Sequence, residues 1–171
     1  IIPPFVAAAT AGEERSRTLI LQSQQTDLGT SVSYALLRER DLYFGEMDLM
    51  YKEDPIISKI VSEIVDGAGE YPSEQLANYG VRYVFLNEPV DKEVARKIDG
   101  VGGLVRLSAT KDGVLWKIAG NSARVKFTSA DAEPIALPSN RISANFQIPG
   151  SGEILLAERF SSGWQLLVDG Q

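Results

Sequence analysis

The side chains available for chemistry in this chain are carboxylates, lysines and tyrosines, because it contains no histidine and no cysteine. That removes a Ser-His-Asp triad, a thiol nucleophile and zinc ligation by imidazole or thiolate. It also removes disulfides, so cysteine usage says nothing about the compartment. Carboxylates crowd one region, at Glu46, Asp48, Glu53 and Asp54. Glu46-x-Asp48 offers oxygens to a hard cation such as calcium, yet the regular Asp/Asn/Gly spacing of a calcium loop is missing. Solvation and helix capping account for these acids more simply. Glu13-Glu14 and Asp131-Ala132-Glu133 read as exposed loop charges. A carboxylate-dependent glycan hydrolase would need two acids about 5–10 Å apart in a cleft. The sequence names no such pair, so no catalytic residue is assigned, and no metal or cofactor is expected.

Trp164, with Gln165 and Asp169 close in sequence, has the residue types of a carbohydrate contact. An indole face stacks on the apolar face of a pyranose, while an amide and a carboxylate take the hydroxyls. Packing is the competing reading. Trp116 and Trp164 each stand in a strand-like run of Val, Leu and Ile, and large aromatics in strands usually fill cores. Arg82 and Tyr83 likewise admit two readings, an anion held at a strand edge or a core strand behind Gly80. Gly100-Val101-Gly102-Gly103 and Gly67-Ala68-Gly69 resemble phosphate loops only superficially. A phosphate loop opens a helix so that its amides face the anion; these glycines follow helices and read as stops.

The elements that must position these residues divide into two kinds. Asp54-Pro55 opens a helix: Asp54 caps free amides, Pro55 suits the first position, and Gly67 ends it. Ile56, Ile57, Ile60, Val61, Ile64 and Val65 form its apolar side. A short helix over Ser73–Tyr79 stops at Gly80, and Asp91 caps a third helix with Val94, Ala95 and Ile98 inward. Strands are expected at Arg17–Gln22, Ser31–Arg38 and Val81–Leu86, with parallel pairing between the first and last of these. Leu104–Ser108 and Val114–Ile118 flank Lys111-Asp112-Gly113 as a hairpin. Only strands are expected after Ala123, at 124–128, 142–148, 153–157 and 164–168. The fold class is therefore α+β or α/β. An α/β lobe over 1–120, with a short parallel sheet and about three helices, precedes a mostly antiparallel β lobe over 121–171 of sandwich or jelly-roll type. The boundary is placed near Gly120-Asn121.

Composition sets the remaining limits. A hydrophobic share of 44% and a charged share of 23% over 171 residues suit a packed core without covalent staples. The formal charge is −6 and the basic residues are scattered, which disfavours nucleic acid as a partner. No run approaches the roughly 20 apolar residues of a membrane span, and Ile1–Thr10 lacks the basic start of a signal peptide. Asp169-Gly170 reads as a turn opening a hairpin, so the chain is expected to be an excised part of a longer protein and the β lobe incomplete.

Four landmarks in order carry a family resemblance. Leu76-Ala77-Asn78-Tyr79-Gly80-Val81-Arg82-Tyr83-Val84-Phe85-Leu86 resembles a helix followed by Gly-Val-Arg/Lys-Tyr-Val in soluble regions of large bacterial membrane glycosyltransferases. Gly103-Leu104-Val105-Arg106-Leu107 with Gly113-Val114-Leu115-Trp116-Lys117-Ile118 is similar to the hairpin that follows there. Gly163-Trp164 through Asp169-Gly170 looks like a Gly-Trp…Asp-Gly element shared with YfhO-like membrane proteins, and Arg17-Thr18-Leu19-Ile20-Leu21 fits the preceding strand. The most similar group is the actinobacterial family 2-type transferases with long multi-spanning regions. Residues 42–54 and 130–140 have no counterpart in it. The resemblance implies an accessory, non-catalytic domain on the extracytoplasmic face of the cell membrane, serving cell-envelope glycan assembly. Its implied partners are the rest of its own membrane-embedded polypeptide and cell-wall glycan. A structural or protein-interaction domain without a ligand is the alternative.

Overall fold

The computed structural model describes residues 15–37, 54–140, 143–158, 161–167 and 169. The acidic positions Glu13, Glu14, Glu46, Asp48 and Glu53 lie outside the described residues.

The first lobe is a mixed five-stranded sheet in the order β2-β1-β3-β5-β4. Strands β1 (Arg17–Thr26) and β2 (Gly29–Leu37) form an antiparallel hairpin. The chain then makes helices α1 (Pro55–Asp66) and α2 (Pro72–Asn78) before β3 (Val81–Asn87), which runs parallel to β1 as expected. Helix α3 (Lys92–Asp99) leads to the hairpin of β4 (Leu104–Thr110) and β5 (Gly113–Ile118), with β5 antiparallel to β3. No helix among the described residues is long and apolar enough to cross a membrane.

Strand alternation decides what each sheet face buries. Leu19 pairs with Val84 and Val84 with Trp116, while Leu21 pairs with Leu86 and Leu86 with Val114. These side chains share the main core with the helices. The intervening row, Ile20, Phe85 and Leu115, belongs with Tyr83 to a second apolar cluster.

Helix α1 follows its sequence signals closely. Asp54 accepts from the amides of Ile56 at 2.9 Å and Ile57 at 3.4 Å, and Gly67 leaves the helix at φ 67°. Its buried stripe is narrower than six residues: Ile57, Ile60, Val61 and Ile64 are buried, Val65 packs partly, and Ile56 is 56% exposed. At about 100° per residue, Ile56 and Val65 fall at the two flanks of that stripe.

The second lobe is a three-stranded antiparallel sheet, β7-β6-β8, made of β6 (Val125–Ser129), β7 (Ala132–Ala136) and β8 (Glu153–Leu156). Strand β7 occupies a stretch expected to be loop. Glu133 and Pro134 lie within it, and the irregular register between Phe127 and Ser129 falls opposite Pro134, which has no amide to donate. The strand expected over 142–148 is not formed by 143–148, and Ile142 lies outside the described residues; Ala144 makes one isolated bridge to Ser139. Ala144 and Phe146 still pack on Val125, Phe127 and Leu137, but both edges of β6 are already taken by β7 and β8. Residues 164–167 do not form the expected strand either, having no ladder partner among the described residues, and Val168 lies outside them.

Candidate functional site

Residues 119–124 carry the chain from one sheet to the other, and the two sheets meet across polar groups. Cations and apolar residues alternate from Arg124, just before β6, through Phe127. Val125 and Phe127 turn into the second lobe's own core, which points Lys126 the other way. There Lys126 is buried, and its ammonium donates to the Ala77 carbonyl at 3.1 Å, Asn78 Oδ1 at 3.1 Å and the Asn121 carbonyl at 3.0 Å. All three ammonium protons have acceptors. Two of these come from the C-terminal end of α2, where the helix dipole favours a cation. Burial nevertheless pushes the Lys126 ammonium below its usual range, with Glu74 opposing that shift more weakly.

Arg17 and Arg124 are also buried and share one carboxylate. Arg17 Nη2 reaches Glu158 Oε2 at 2.9 Å, and Arg124 Nε reaches Glu158 Oε1 at 2.5 Å. Arg17 Nη1 donates to the carbonyls of Tyr79 at 2.7 Å and Ala157 at 2.5 Å, and Arg124 Nη1 to that of Asn140. Gly80 permits this close approach. Its φ is +71°, and a Cβ there would stand 3.1 Å from the Ala157 Cβ and 3.4 Å from Arg17 Nη1.

Trp164 sits on this network from outside. The Arg124 guanidinium lies 5.5 Å from the centroid of its ring, and the residue remains 41% exposed. It therefore does not fill a core as its strand-like surroundings suggest. Gln165 and Asp169 are exposed and make no hydrogen bond to the described residues. They stand near Trp164 in the chain, and no hydrogen bond among the described residues joins them to it.

Trp116 takes the packing role. It is wholly buried, its indole N–H donates to Asp99 Oδ1 at 2.9 Å, and Arg106 lies 5.6 Å from its ring centroid. Arg106 Nη2 reaches the other Asp99 oxygen at 2.5 Å.

Two grooves flank the β4–β5 hairpin. One, of about 640 Å³, lies between α3 and the hairpin and, among the described residues, contains a single carboxylate, Asp99. The other, of about 420 Å³, is lined by Arg82, Lys117, Val105 and Leu107 among others, and has no carboxylate. Neither offers the paired acids a glycosidase requires. Tyr83 belongs to the second apolar cluster rather than to a groove beside Arg82. The glycines at 100, 102 and 103 follow α3 and precede β4, so their amides do not open a helix. Among the described residues, no group of three or more acidic side chains is placed to hold a metal ion.

The seam of Arg17, Arg124, Lys126 and Glu158 escaped sequence reasoning. Alternating cationic and apolar residues along a strand look the same whether the cations meet water or a neighbouring helix end. No protein-family model, curated protein or solved structure matches this chain.

Proposed function

We propose that this chain is an accessory glycan-binding domain of a membrane-bound glycosyltransferase, facing the extracytoplasmic side and holding acceptor glycan during cell-envelope assembly. The observation that carries this reading is the setting of Trp164. An exposed indole braced by a buried guanidinium is a rigid platform for a sugar ring, and holding it in place costs little further ordering on binding. Gln165, next in the chain and also exposed, supplies hydrogen-bonding groups. The order of motifs shared with actinobacterial membrane transferases supplies the membrane and envelope context.

The experiment is a fluorescence titration with actinobacterial cell-wall polysaccharide. Trp164 is exposed and Trp116 wholly buried, so comparison with Trp164→Ala assigns a ligand-dependent change in emission to Trp164. A saturable change that disappears in Trp164→Ala, with the circular dichroism spectrum unchanged, supports the reading. No saturable response, or one that survives the substitution, removes it.

A second reading, docking on the rest of the parent polypeptide, is favoured by β4. It is an edge strand of the first sheet, with Val105 58% and Leu107 50% exposed. Such an edge accepts an added strand. Val105→Lys with Leu107→Lys would weaken association with the parent membrane region and leave polysaccharide binding intact.

A further inference from the structure

From the groove between α3 and the β4–β5 hairpin, we infer a second site, one that binds a phosphate ester of sugar size. The inference does not rest on Trp164 or on the glycan reading. Helical spacing places Lys92, Ala95, Arg96 and Asp99 along one side of α3, at i, i+3, i+4 and i+7. The hairpin faces them with Arg106 from β4 and Lys111 from its turn, and Val90, Ala109 and Val114 add an apolar lining. The volume of about 640 Å³ is that of a small-molecule cleft.

Charge identifies the ligand. The chain carries a formal charge of −6, yet this groove gathers Lys92, Arg96, Arg106 and Lys111 around a single acid. That acid is already engaged, because Asp99 gives one oxygen to the Trp116 indole and the other to Arg106. Lys92, Arg96 and Lys111 form no ion pair among the described residues. Three cations unpaired among the described residues, lining one open groove from two elements, suit an anion with several acceptor oxygens. Arg96 supplies a planar fork for phosphate, and the lysines supply point charges. The apolar lining accommodates the carbon face of the esterified group. A soluble sugar phosphate and a phospholipid headgroup share this chemistry.

The test is a nuclear magnetic resonance titration of the whole chain, following backbone amides of α3 and the hairpin. The probes are glucose 1-phosphate, unphosphorylated glucose and phosphatidylglycerol vesicles. Saturable shifts with glucose 1-phosphate, absent with glucose, are expected. Half-saturation should weaken at least ~10-fold in the Arg96→Gln, Lys111→Gln variant and with salt raised to about 0.5 M, where exposed charges are heavily screened. Trp164→Ala should leave this binding unchanged, which separates its failure from that of the glycan reading. A response to vesicles alone, lost in the same variant, supports the site and assigns the phosphate to a lipid headgroup. No saturable response to either phosphate, or one that survives neutralisation of Arg96 and Lys111, overturns it.

Discussion

Arg17, at the start of the first strand, donates to the carboxylate of Glu158, 141 positions later, at 2.9 Å. The same carboxylate takes the buried Arg124, so one acid pairs with two guanidinium groups at the junction of two sheets. Removing one partner of a buried pair leaves an uncompensated charge. Glu158→Gln should therefore destabilise the fold by about 3–5 kcal/mol. The exposed Glu153→Gln should change stability by less than about 0.5 kcal/mol. Urea unfolding of the two variants checks the contrast.

Gly80 is needed for both its backbone and its lack of a side chain. A left-handed conformation costs a residue with a Cβ about 1–2 kcal/mol. Ala157 and the Arg17 guanidinium stand in the space a Cβ would enter. Gly80→Ala should lower the melting temperature by more than Gly102→Ala, whose added Cβ meets nothing within 4 Å.

Asp99 makes two contacts of unequal worth. Its pairing with Arg106 is solvent-exposed on both sides, with side-chain exposures of 38% and 40%. Exposed pairs contribute about 0–1 kcal/mol. Its bond to Trp116 satisfies a donor on a wholly buried residue, and orphaning such a group costs about 1–3 kcal/mol. Asp99→Asn keeps an oxygen for the indole and should be nearly neutral, whereas Asp99→Leu should cost the larger amount. Chemical denaturation of both variants separates the two contacts.

Two groups make the fold's stability rise with pH, one in the acid range and one in the alkaline range. The Val94 amide, then that of Glu93, and the Thr30 hydroxyl hold the Asp91 carboxyl below its usual range, against a burial effect that opposes them. The unfolded chain then takes up this proton first as pH falls. The contribution of the α3 cap is complete above the unfolded value of about 4 and is lost as pH drops through the folded one. Asp91→Ala should flatten that acid limb. Burial lowers Lys126, so between its folded value and the unfolded value of about 10.4 the unfolded chain holds more protons and stability rises with pH. Lys126→Met should remove that alkaline rise. Urea midpoints measured across both ranges, variant against parent, give the two slopes.

The first lobe was legible because local signals and long-range pairing agree there. Asp54, Asp91 and Gly67 fix helix ends through groups within a few residues, and the runs in β1, β3 and β5 are apolar enough to be interior strands whatever their neighbours. The second lobe was less so. Strand β7 was obscured by Glu133 and Pro134, which only an edge position tolerates, and edge positions are a property of the assembled sheet. The alternation at Ala144 and Phe146 was real, yet it records packing without a ladder. The exposure of Trp164 was hidden for a related reason: its apolar neighbours Leu166 and Leu167 are themselves 68% and 62% exposed.

The parallel ladder between β1 and β3 carries a cost during biosynthesis. Hairpin β1–β2 leaves the ribosome before the helices and can close by itself, but Leu19 and Leu21 acquire their cross-strand neighbours Val84 and Leu86 only after α1 and α2 have emerged. Until then the nascent hairpin has a bare edge and sticky leucines. Translation speed through the two helices, and any holdase that covers the hairpin meanwhile, should thus govern how much of the chain reaches its native state.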